Sequence, residues 1–95
     1  MNKLSVFIAD DDDIRIGGER FSQKPEVSVF LERILADDPD VILVIEPASS
    51  SLYKGIGKVI YASQSAGVPI ENLRYKLENG EIVTFDELKS RQGGG

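Results

Sequence analysis

Three features of the chain predict an α+β domain. Residues 4–9 alternate between two side-chain sets, residues 41–45 are apolar throughout, and Asn79-Gly80 separates two further runs of strand character. Between these lie two stretches whose apolar residues recur at helical spacing. The order is ββαβαββ. Right-handed crossovers then lay both helices on one face of a mixed sheet, an α/β two-layer sandwich.

Each element has a local reason. Leu4, Val6 and Ile8 alternate with Ser5, Phe7 and Ala9, the period of a half-buried strand. Asp10, Asp11, Asp12 and Asp13 break it, because short carboxylate side chains bond nearby backbone amides and favour turns. Ile14-Arg15-Ile16 alternates again and Gly17-Gly18 ends it, so the first unit reads as a short hairpin. Ser22 is the candidate N-cap of the first helix, with Pro25 in its first turn. Val27, Phe30, Leu31, Ile34 and Leu35 then form one apolar stripe. Asp37-Asp38-Pro39-Asp40 stops it.

The run at 41–45 is rich in β-branched residues, the pattern of a central strand covered on both faces or packed in a dimer. Ala48-Ser49-Ser50-Ser51 is a loop with a choice of N-caps for the second helix. Leu52, Ile56, Val59, Ile60 and Ser63 mark that helix's inner face, and Gly67 is its C-terminal stop. Leu73, Tyr75 and Leu77 alternate with Arg74, Lys76 and Glu78. Asn79-Gly80 turns the chain back through residues 82–85, and residues 86–90 form a last helical turn.

Ninety-five residues build one core, assigned to residues 1–91, with 92–95 as a flexible Gly-rich tail. The chain has no cysteine and no histidine, which removes disulfides, thiolate metal sites and the usual general base. A net charge of −5 argues against nucleic acid as a partner. The longest apolar run is far short of a membrane span, and Met1-Asn2-Lys3 lead straight into a strand without room for a signal peptide. The chain as written is expected to be soluble, with membrane attachment only through an N-terminal anchor outside this sequence.

The motifs that invite chemistry fail on spacing. An EF-hand loop starting at Asp10 would need an oxygen ligand at Ile14, Gly at Arg15 and Glu at Phe21, so the acidic run reads as a solvated turn. A phosphate loop through Gly57-Lys58 would need Gly at Leu52 and Ser or Thr at Val59, and a dinucleotide fingerprint would need Gly at Ile60. Gly55 and Gly57 instead suit close approach of the helix to the sheet. The serines at 49–51 lack a base and a nucleophile elbow, and nothing brings Glu46 and Glu71 together as a carboxylate pair. The expectation is a non-catalytic domain without cofactor or metal.

The terminal hairpin carries the candidate binding residues: Leu73, Tyr75 and Leu77 as sheet-facing supports, Arg74 and Lys76 as the outward pair. Two readings of this edge stand side by side. Charged residues protect it, or it pairs with a second copy or a partner's extended segment.

The order strand, acidic turn, Ile14-Arg15-Ile16-Gly17-Gly18, capped helix, Asp38-Pro39-Asp40-Val41 entering a strand, and a helix running from Tyr53 to Gly67 resembles the periplasmic domain of the ExbD/TolR family. These are the small subunits of proton-driven inner-membrane motors. Glu46-Pro47-Ala48 stand where many members read Arg or Lys, Ala and Asp. The resemblance implies an exported interaction domain that forms a homodimer and works beside ExbB/TolQ-like and TonB/TolA-like proteins or peptidoglycan. It also implies a place on the periplasmic side of the inner membrane. A second resemblance is to STAS regulatory domains, where a serine at a helix start is phosphorylated. Ser49, Ser50 or Ser51 would sit there, although that family's Asp-Ser-Ser-Gly pattern is absent.

Overall fold

The computed structural model describes residues 3–49 and 51–93. The chain opens with three strands, β1 (Lys3–Asp10), β2 (Asp13–Ile16) and β3 (Glu19–Phe21). Helix α1 (Lys24–Asp37) leads to β4 (Ile42–Pro47), and α2 (Tyr53–Ala66) leads through a 3-10 turn at Ile70–Asn72 to β5 (Leu73–Lys76). Strand β6 (Ile82–Thr84) and helix α3 (Phe85–Gly93) complete it.

The strands form one mixed sheet in the order β3-β2-β1-β4-β5-β6. Strands β1, β4 and β5 run parallel, and β2 and β6 turn back antiparallel on either side. Parallel neighbours cannot be joined by a tight turn. The connection from β1 to β4 therefore carries α1, and that from β4 to β5 carries α2.

Register explains the core. Val6 lies opposite Ile16 and Ile45, Ile8 opposite Ile14, and Leu43 opposite Leu73, so all seven share one face. They are buried together with Val27 and Leu31 of α1 and Val59 and Ala62 of α2. On the other face of β4, Val44 is only 4% exposed, while Ile42 and Glu46 are half-buried. Lys24 Nζ sits 4.7 Å over the Tyr61 ring where α1 meets α2.

Four local readings are corrected. The first hairpin continues into a third strand, because Gly17 and Gly18 have φ of 58° and 85° and form a two-residue turn instead of an ending. Strand β3 was hidden because Glu19-Arg20-Phe21 shows one apolar residue, and that residue is half-buried against Phe30 at 5.1 Å between ring centroids. Gln23, not Ser22, caps α1, since Glu26 accepts the Gln23 backbone N–H at 3.0 Å. The last helical turn is a helix that starts at Phe85 and takes in Gln92 and Gly93. Thr84 Oγ1 accepts the Glu87 N–H at 3.1 Å and starts it. Residues 94 and 95 of the expected tail lie outside the described residues.

Candidate functional site

Several of the polar residues that invited chemistry are engaged in structure, Asp11, Asp12 and Glu46 with distant parts of the chain. The acidic turn that leaves β1 is not simply solvated. Asp11 Oδ1 accepts the backbone N–H of Gly55 at 2.8 Å, one of the unsatisfied donors in the first turn of α2. A carboxylate is favoured there by the positive end of the helix dipole. One turn further on, Lys58 Nζ donates to the Asp11 carbonyl at 2.8 Å and to Asp12 Oδ1 at 2.5 Å. It also donates to the Ser22 carbonyl at 3.3 Å. Hydrogen bonding from Lys58, with its charge, holds the Asp12 carboxyl below its ordinary value.

Gly55 is required by this arrangement. A Cβ there would lie 2.6 Å from Ile8 Cγ2 and 3.3 Å from the Asp10 carbonyl oxygen. Gly57 has open space on its Cβ side, so only one of the two glycines serves close approach. The motif that imitates a phosphate loop is thus a glycine for contact and a lysine for a latch.

The serine loop does not cap α2. Leu52 occupies the cap position, Ser49 Oγ accepts the Ser51 N–H at 3.2 Å, and the two hydroxyls lie 2.9 Å apart. Asp11, remote in sequence, does the capping instead. Ser50 lies outside the described residues. Glu46 is 3.4 Å from Lys76 Nζ across β4 and β5, while Glu71 sits in the 3-10 turn.

The terminal hairpin forms the end of the sheet, but β5 is not its edge. It is paired with β4 on one side and β6 on the other, so its main chain is already used. The outer strand is β6. Leu73 and Tyr75 share the core face as expected, with Tyr75 edge-on to Phe85 at 6.3 Å, where desolvation raises its hydroxyl pKa. Leu77 lies beyond β5, in the turn. Arg74 and Lys76 take the opposite face, but the Arg74 guanidinium donates to its own chain's carbonyls at Glu71 and Leu73. Only Lys76 of the pair is exposed.

That opposite face carries a row of side chains that sequence reading missed. Register and the Glu46–Lys76 contact align Arg20, Arg15, Phe7, Glu46, Lys76 and Ile82 across all six strands. Phe7 is 39% exposed and Ile82 48% exposed. Asp13 accepts Arg15 through both carboxylate oxygens, at 3.2 and 3.0 Å, and lies 3.9 Å from Arg20. The hydrogen bonds from Arg15 lower the Asp13 pKa, and the same pairing raises that of Arg15. A hollow of about 300 Å³ beside the row is lined by Phe7, Glu46, Pro47, Ala48, Lys76, Leu77 and Glu78. It sits at the carboxyl ends of β1, β4 and β5, the usual binding end of parallel strands.

No family model, curated protein or solved structure matches this chain. Among the described residues no helix is long and apolar enough to cross a membrane.

Proposed function

We propose that this is a non-catalytic interaction domain of the kind carried on the periplasmic side of ExbD/TolR-like proton-motor subunits. In that role it pairs with a second copy and binds a TonB/TolA-type protein or the cell wall. The observation that carries the reading is the pair of open sheet ends. The sheet stops at β3 on one side and β6 on the other, each three residues long, so another chain can add a strand at either end, with the Thr84 N–H of β6 already taken by Glu87. Support also comes from the occupied state of the polar candidates, since Asp11, Asp12, Glu46, Ser49 and Ser51 all have internal partners. The element order on which the resemblance rests is kept as well, with the extra strand β3 added before α1.

Sedimentation over a wide concentration range tests the reading. The wild type should self-associate, and Ile82→Lys, a charge on the outer strand, should weaken that association while leaving the fold intact. A strictly monomeric wild type that also ignores extended peptides would end it. Phosphorylation of a serine at 49–51 that releases a bound protein would favour the regulatory-switch alternative instead.

A further inference from the structure

We propose that the sheet face opposite the buried core docks an acidic, extended segment of a partner protein. The proposal deepens the interaction reading above and rests on it. Three observations carry it.

The first is charge. The strand residues of this face hold Lys3, Arg15, Arg20, Arg74 and Lys76, five of the chain's eleven basic residues. Against them stand Asp10, Asp13 and Glu46 on the strands and Glu78 at the hollow, four of its sixteen carboxylates. A molecule of net charge −5 thus presents a face with a slight basic excess. Such a surface attracts an acidic partner and orients it, because the remainder of the chain repels it.

The second is an apolar centre. Phe7 stands midway along the row, with Ile42 half-buried on the same face and Val44 beneath. An amphipathic segment can set an apolar side chain on Phe7 and carboxylates on Arg15 and Lys76 to either side. Six strands at about 4.8 Å spacing span roughly 24 Å, the length of about seven extended residues.

The third is preorganisation. Asp13 grips Arg15 at two points, so this guanidinium is already held in place and loses little side-chain entropy on binding. A second copy is disfavoured as the occupant of this face. The second copy carries the same basic excess on this face, so two such faces repel rather than attract.

The test uses the whole chain, amide NMR, and a synthetic peptide alternating Glu with Leu. Saturable shifts should centre on Phe7, Arg15, Glu46 and Lys76, and affinity should fall about tenfold or more from low to about 0.5 M salt. Arg15→Gln with Arg20→Gln should weaken binding about tenfold, and Lys76→Gln should do so less, each with the amide spectrum of a folded chain. No saturable shift with the acidic peptide overturns the proposal. So does equal binding of the matching Lys-Leu peptide, or tighter binding of a single-stranded oligonucleotide. A chain that self-associates in an Ile82-dependent way yet ignores the acidic peptide loses this surface and keeps the interaction reading. A chain that does neither loses both.

Discussion

The acidic turn between β1 and β2 and the turn between β5 and β6 are both polar surface loops, but they are held differently. In the second, Leu77 N–H donates to Glu81 O at 2.8 Å and Gly80 N–H to Leu77 O at 2.9 Å. Asn79 Oδ1 accepts the Glu81 N–H at 2.9 Å, so these bonds close within the turn itself. In the first, Asp11 and Asp12 reach Gly55 and Lys58, between 44 and 47 residues away. A turn that satisfies itself opens and closes alone. A turn that caps a distant helix ties that helix to the first hairpin, so damage to either is felt by both.

The hardest way to break the contrast is at Gly55. Gly55→Ala should cost about 2 kcal/mol by forcing Ile8 or the β1 end to shift, whereas Gly57→Ala should be neutral or stabilise by up to about 1 kcal/mol. Denaturant titration of the two variants reads the difference directly. Equal effects would mean that α2 does not approach the sheet at Gly55.

Caps come next. Asp11→Ala and Thr84→Ala should each cost about 1 kcal/mol, but with different reach. Amide exchange should quicken in both the first turn of α2 and the turn at residues 10–13 for Asp11→Ala. For Thr84→Ala it should quicken only around the start of α3. A local effect in both variants would mean that Asp11 does not tie α2 to the first hairpin.

The Asp12–Lys58 contact sharpens the contrast through pH. The Asp12 carboxyl lies below its unfolded value when folded, so the unfolded chain binds more protons and stability rises with pH. This contribution is present above the unfolded value and is lost as pH falls through the lower folded one. Wild type should therefore exceed Asp12→Asn in stability near neutrality by a small margin, and the two should converge in acid. A margin that persists in acid would mean that the ion pair is not its source.

The smallest effect is expected at the serine loop. Ser51→Ala should change stability by less than about 0.5 kcal/mol, because Ser51 bonds Ser49 and caps nothing. A larger loss, read in the same denaturant titration, would return the cap to the serines and take it from Asp11.

By itself the chain determined whatever a few neighbouring residues settle. Alternation at Leu4, Val6 and Ile8, the stripe through Val27 and Leu31, the stop at Gly67 with φ of 97°, and the turn at Gly80 are local preferences that tertiary packing left intact. Even the outward side of Lys76 followed from period two. Tertiary structure decided the rest. That β6 and not β5 is the outer strand depends on strand order, which no local pattern encodes. Glu19-Arg20-Phe21 became a strand because β2 offered its edge, not because its residues alternate. Asp11 displaced the serines as the cap of α2 because the parallel pairing of β1 with β4 carries the acidic turn to that helix's first turn. Phe7, Arg15, Arg20 and Lys76 form one row for the same reason. Hydrogen-bonded register sets side chains from four strands side by side, and register exists only once the sheet has formed.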